Sequence, residues 1–190
     1  MEDSGRVHIY SGATGQRIRT IVSQTPSSSG YFGYSLAVIS DLNGDGKNDL
    51  VIGARKERAD KGGQVHIVSP ATGQRLRTLA SPNSQNDGRF GYAVAAVPDV
   101  NGDGLPDVVV GAPREFNRTG RAYLFSGATG ALLRQVQSPG MEVDNRFGEA
   151  VAGLPDFNGD GRGDFVVGAP HEDPGLAHDD NGRAYIYSGA

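Results

Sequence analysis

The chain has 190 residues, a formal net charge of −4, no cysteine, 29 glycines and 10 prolines. Disulfides and thiolate-bound zinc are excluded, the mild charge without a basic stripe argues against nucleic acid, and no apolar run approaches the roughly 20 residues of a membrane helix. A hydrophobic content of 37% beside so much glycine and proline predicts turns and short strands rather than helices.

The first residues, MEDSGRVHIY, lack the basic and apolar regions of a signal peptide. Met1 stands directly before a repeat-like segment, which predicts a piece excised or engineered from something longer. That segment, GRVHIYSGATG at 5, returns as GQVHIVSPATG at 63, GRAYLFSGATG at 120 and GRAYIYSGA at 182. A second marker, YFGYSLAVISDLNGDG at 31, returns as RFGYAVAAVPDVNGDG at 89 and RFGEAVAGLPDFNGDG at 146, so that Asp41, Asp99 and Asp156 recur after 58 and then 57 residues.

Apolar and β-branched runs separated by Gly, Pro, Asn or Asp predict four short strands per unit, in the second unit at 92–97, 108–111, 122–125 and 132–136. No segment offers a helical period. A four-stranded unit near 60 residues suits a propeller blade and is too long for a hexapeptide or nonapeptide β-helix. The expected fold is all-β, with about three blades of four antiparallel strands. Residues 1–30 supply strands 3 and 4 of a partial blade, 31–88 and 89–145 are blades, and 146–190 is incomplete, all within one propeller segment.

Between strands 1 and 2 of each unit lies a loop with oxygen-bearing side chains at positions 1, 3, 5 and 9 and glycine at position 6, a pattern suited to a hard cation. The loops are DLNGDGKND at 41, DVNGDGLPD at 99 and DFNGDGRGD at 156. The first would bind through Asp41, Asn43, Asp45, the Lys47 carbonyl and Asp49. The second offers Asp99, Asn101, Asp103, the Leu105 carbonyl and Asp107, and the third Asp156, Asn158, Asp160, the Arg162 carbonyl and Asp164. Three Ca2+ ions per chain are expected, in a structural role. Nine of the 22 acidic residues are these loop aspartates, and three dications would turn −4 into +2. In a dockerin or EF-hand the loop leads into a helix, whereas here it leads into the valine-rich DLVIGA, DVVVGA and DFVVGA. The loops lack the histidines of a hydrolytic metal site, and no nucleophile elbow or triad is legible. No catalytic residue and no enzymatic activity are expected.

The Phe-Gly pairs at 32, 90 and 147, the cation loops, and Gly-Ala-Pro at 111–113 and 168–170 together resemble FG-GAP repeats, the blades of the α-integrin-type β-propeller. The first unit departs from the pattern at Gly53-Ala54-Arg55, where the proline is missing. In such a blade the cation loops share a face with the 3-to-4 turns at 11–15 and 126–130. The opposite face carries the 2-to-3 loops at 55–62, 113–119 and 170–181 and the 4-to-1 loops at 23–31, 81–89 and 138–146. These vary most, and variable loops on a rigid scaffold are where binding is usually placed. The resemblance implies the same face for ligands. The reading is a calcium-stabilised module for protein or glycan binding or adhesion, extracellular or at the cell surface. Alternatives are a self-assembling propeller fragment, natural or engineered, and the non-catalytic propeller of a larger extracellular enzyme.

Three blades are too few for a closed ring. The preferred assembly is a head-to-tail homodimer closing a six-bladed ring, with one strand 3 redundant; an open arc and a larger ring rank below it. Weaker signals read blandly. Arg162-Gly163-Asp164 spells an adhesion tripeptide, but Asp164 is committed to the loop. Asn117-Arg118-Thr119 is a chance glycosylation match. The polar stretch His171, Glu172, Asp173, His178, Asp179 and Asp180 and the charged run 55–61 are expected to be solvated. Phe32, Phe90 and Phe147 are expected to pack between blades.

Overall fold

The computed structural model describes residues 3–140, 143–173 and 181–190. Among them are thirteen strands and no helix. Strands β1 (Val7–Tyr10) and β2 (Arg17–Ile21) form a two-stranded sheet. Four-stranded sheets follow, from β3 (Phe32–Ile39), β4 (Asp49–Ala54), β5 (Gln64–Val68) and β6 (Arg75–Leu79), and from β7 (Ala93–Val97), β8 (Asp107–Ala112), β9 (Arg121–Phe125) and β10 (Leu132–Val136). A three-stranded sheet of β11 (Ala150–Leu154), β12 (Asp164–Ala169) and β13 (Arg183–Tyr187) ends the chain. Each sheet is antiparallel with neighbours in chain order, the up-and-down pattern of propeller blades, and the ring is not closed within this chain.

The second strand of each unit reads as a continuous apolar run because it is covered on both faces. In β8, DVVVGA, every residue is buried. The outermost strands mix polar and apolar residues instead, as in RLRTL of β6, where only Leu79 is buried, since one of their faces meets water. Three apolar clusters form the core between consecutive sheets. Phe32 packs with Val7, Ile21 and Ile52, Phe90 with Ile67, Val110 and Phe125, and Phe147 with Val109, Leu124 and Phe165. Each Phe-Gly phenylalanine therefore lies between blades, as its sequence position suggested.

The glycines of the two motifs meet each other across the blade boundary. A Cβ on Gly53 would sit 2.2 Å from the Gly91 carbonyl oxygen, and one on Gly111 would sit 1.9 Å from that of Gly148. Gly91 and Gly148 are themselves at φ of +83° and +88°, the left-handed region that side chains disfavour. Beside this crossing the Phe32, Phe90 and Phe147 amides donate to the carbonyls of Ser4, Gly62 and Thr119, at 3.0, 2.8 and 3.0 Å. The outer rim is tied as well. Arg19 of β2 donates to the carbonyls of Ala71 and Thr72, Arg77 of β6 to Ala128, and Arg134 of β10 to Ser188 and Ala190, always onto the next blade's 3-to-4 turn.

The end of the array facing the partial blade is open. Leu36 and Val38 of β3 are 52% and 59% exposed, whereas Val94, at the register position of Leu36 in the next blade, is 8% exposed. Gly168 completes the motif in the last sheet, but the nearest atom to a Cβ there is the Ala150 methyl at 3.4 Å, an ordinary contact. Gly111→Ala should therefore lower stability by roughly 1 to 3 kcal/mol or more through overpacking, while Gly168→Ala should be nearly neutral in the separate chain, where no blade follows the last sheet. Urea unfolding of the two variants side by side checks the pair.

Candidate metal loops and the opposite loop face

Each DxNGDG turn is wrapped around its first carboxylate. Asp41 accepts hydrogen bonds from the amides of Asn43, Gly44, Asp45 and Gly46 at 3.0, 2.7, 3.3 and 2.6 Å. Asp99 does the same for Gly102, Asp103 and Gly104, and Asp156 for Gly159, Asp160 and Gly161. The glycines at positions 4 and 6 take φ near +80° in all three loops, which frees their N–H groups to point inward. At position 3, Asn43, Asn101 and Asn158 each donate to the following aspartate, and at position 7 the Lys47, Leu105 and Arg162 amides each donate to the same aspartate at 2.9 Å.

The loop aspartates also fix the face. Asp45 accepts from Ser69 and Asp160 from Ser188, at 2.9 and 2.7 Å, both in the position that follows strand 3. The cation loops and the 3-to-4 turns thus share one face of the array.

Position 9 is buried in every loop, at Asp49, Asp107 and Asp164. One oxygen of each accepts an amide from position 2: Leu42 at 2.9, Val100 at 2.8 and Phe157 at 2.7 Å. The other oxygen of Asp107 accepts from Gly127, and that of Asp164 from Gly189, at 3.1 and 3.0 Å. In the first unit the corresponding residue is Pro70, which has no N–H to give, and Asp49 Oδ1 is buried with no hydrogen bond. Burial pushes the Asp49 carboxyl above its usual range, with repulsion from Asp45 and Asp41 adding to it. Burial likewise raises Asp107, and Asp103 and Asp99 repel it.

Among the described residues no three His, Cys, Asp or Glu side chains converge into a metal cluster, because the position 1 carboxylates are turned onto the loop amides. The donor set nonetheless fits a hard cation: carboxylates, amide oxygens and an orphaned buried carboxylate oxygen, with mutual repulsion that a dication would relieve. Arg162 and Asp164 do not display an adhesion tripeptide. Asp164 is 1% exposed, and the Arg162 guanidinium lies against Gly102 of the neighbouring loop.

The opposite face holds a feature that the sequence reading missed. Glu57 and Glu172, both placed above in solvated loops, are buried, as is Glu115. Each stands four residues after its Gly-Ala glycine, at 53, 111 and 168, a recurrence that could have revealed them. Glu57 bonds His66 of β5 at 2.9 Å and accepts from Ser23 and Thr25 of the 4-to-1 linker before its blade. Glu172 accepts from Tyr185 of β13 and from Ser138, the latter at 2.6 Å. Glu115 accepts from Tyr123 of β9, whose hydroxyl in turn receives Ser81 at 3.2 Å. The carboxylate thus anchors the incoming linker to strand 3. His178, Asp179 and Asp180 lie outside the described residues.

Burial opposes the charge on Glu57, but its hydrogen bonds from His66 and Ser23 outweigh it and hold the carboxyl below the usual range. For Glu115 burial prevails and the carboxyl is raised. A lowered carboxyl contributes stability above its unfolded value that is lost as pH falls through the folded one; a raised carboxyl contributes stability at low pH that is lost as pH rises through its folded value. The stability difference between wild type and Glu57→Gln should therefore shrink as pH falls below about 4.5, whereas that between wild type and Glu115→Gln should grow as pH falls toward about 4.5 from above and level off below it. Denaturant titrations on both sides of about pH 4.5 would show the two slopes, of opposite sign and in different windows.

Residues 32–68, 90–125 and 147–187 match the FG-GAP repeat family. The chain is 38% identical over 168 residues to integrin alpha-8 of Gallus gallus, covering 84% of this chain and 15% of that protein. It is 36% identical over 181 residues to integrin alpha-X of Homo sapiens, covering 88% of this chain and 15% of that protein. Integrin alpha-PS3 of Drosophila melanogaster is 31% identical over 153 residues, 74% of this chain and 14% of that protein. The chain thus spans about 15% of the length of the relatives it matches.

Proposed function

Because the chain belongs to the FG-GAP repeat family and forms an adhesion-type propeller segment similar to part of the integrin alpha chains, we propose that it is a calcium-stabilised, non-catalytic binding module. The observation that carries the calcium reading is the orphaned, buried Asp49 Oδ1 within reach of the fields of Asp41 and Asp45. Bound Ca2+ would supply the positive charge at that point and in the two sister loops. Asp41, Asp99 and Asp156 hold the loop backbone, Asp45 and Asp160 hold the adjoining turn through serine, and Asp49, Asp107 and Asp164 connect each loop to the core. The ion's role is to fix the 1-to-2 hairpin, and the opposite, variable face presents a protein or glycan ligand. Loops of this kind in extracellular modules bind at roughly 10⁻⁴ to 10⁻³ M, which favours an extracellular or cell-surface setting.

Calorimetric titration should find three sites, and EDTA should lower the melting temperature. Saturation at about 100 times Kd adds ~2.7 kcal/mol per site when only the folded form binds. Asp103→Ala should remove one site and part of the shift. A melting temperature indifferent to EDTA refutes calcium stabilisation.

We further propose that two chains close a six-bladed ring head to tail. The exposed Leu36 and Val38 of β3 support this, since they sit where the inner strand of a preceding blade would pack. Strands β1 and β13 carry the same marker, GRVHIY and GRAYIY, and occupy the same place in a blade, so closure leaves one of them redundant. Light scattering after size exclusion should give twice the chain mass. A stable monomer at high dilution rules the ring out.

A further inference from the structure

The loop face opposite the metal loops carries an excess of fixed positive charge where blades 31–88 and 89–145 meet. Asp87, in the linker between them, is ringed by three cations: Arg114 at 2.7 Å, Arg89 at 3.5 Å and Lys56 at 3.6 Å. Only the Arg114 contact is a hydrogen bond to the carboxylate. Asp87 Oδ1 and Arg89 Nε are both buried and make none. A fourth cation, Arg55, packs over the rings of Tyr34 and Tyr31, 4.2 and 4.5 Å from their centroids, and its Nε and one terminal nitrogen are buried with no acceptor. Repulsion from Arg114 and Arg55 adds to burial in opposing the charge on Arg89. One carboxylate thus contacts three cations, and Arg55 and Arg89 keep buried N–H groups with no acceptor.

We propose that this cluster is a recognition site for a carboxylate side chain of an acidic peptide segment, held by Arg55, Arg89 and Arg114. The inference rests on the reading of this face as the ligand face. The partner's sign follows from the charges: Asp87 alone contacts Lys56, Arg89 and Arg114, and Glu149, which lines the same pocket as Arg89 and Arg114, is paired with Arg146 at 4.0 Å, so a cationic partner would meet like charge left over. Its class follows from geometry. The Arg89, Arg114 and Lys56 side chains are only 19%, 30% and 24% exposed, so they are held in place rather than spread over the surface. Fixed guanidinium planes suit the planar, bidentate geometry of a single carboxylate. Asp87 shows the preferred occupant, because the cluster already holds one carboxylate of that size. The Arg55 stack between tyrosines adds a rigid aromatic wall, a surface suited to peptide contact.

The test uses the whole chain with Ca2+ and fluorescein-labelled octapeptides that carry one Asp or Glu in a neutral Gly/Ser background, beside their Asn and Gln counterparts and a heparin oligosaccharide. The Asp or Glu peptides should bind, and more weakly as salt is raised. Arg55→Gln and Arg114→Gln should each weaken binding about tenfold or more, with the chain still folded at the assay temperature by circular dichroism, and Arg17→Gln on β2 should have no effect. Equal binding of the Asn and Gln peptides, no binding of the acidic ones, or indifference to both loop-face substitutions overturns the proposal. Preference for heparin, lost in the same variants, replaces the peptide with a sulfated glycan. Acidic-peptide binding that survives both substitutions but is lost in Lys47→Gln would move the site to the metal-loop face and overturn the ligand-face reading itself. A neutral ligand displaced by changes in 113–119 would leave that reading standing and remove only this inference.

Discussion

The crossing of backbone on backbone between consecutive blades governs the rest of the molecule. Gly91 lies on Gly53, and Gly148 on Gly111, with no room for a methyl group at either crossing. This approach brings the inner strands together, and the Phe-Gly phenylalanines then fill the space between sheets. It also sets the angle at which each linker arrives, so that Ser23 and Ser138 reach the buried glutamates and Arg19, Arg77 and Arg134 reach the next turn. Side-chain packing elsewhere in the array is arranged around a spacing that two glycines decide.

That spacing separates the two faces into different physical regimes. On the metal-loop face, carboxylates are gathered in short turns and are satisfied chiefly by local amides, so each unit carries its own small surplus of negative charge. On the opposite face three acidic groups are used internally: Glu57, Glu115 and Glu172 are buried beneath the loops, and above them Asp87 stands among Lys56, Arg89 and Arg114. A chain of formal charge −4 therefore presents a positive patch where a whole-sequence count gives no hint of one.

The legible and illegible parts of the sequence divide along the same physical line. The turns at 41, 99 and 156, the strands around 92–97 and 132–136, and the interblade place of Phe32, Phe90 and Phe147 could be read because they depend on residues close together in the chain or on apolar character alone. Glu57 and Glu172 were misplaced because a charged residue in a Gly- and Pro-rich loop is usually solvated, and the partners that bury them lie 34 residues upstream, at Ser23 and Ser138. Pro70 was visible as a departure from the SGATG marker, but its consequence appears only once its place beside Asp49 is known. The charge cluster at Asp87 is assembled from three separate loops and has no linear signature.

The arginines of the outer rim always reach forward, from one blade to the turn of the next. Every junction is thus the same donor-to-acceptor joint with a fixed polarity, and each unit meets only its two neighbours. Removing or duplicating a stretch of 57 or 58 residues in register would rejoin a donor to an acceptor without altering either. The number of blades is then free to change by whole units through recombination, while a cut out of register leaves a donor without its acceptor at the new junction.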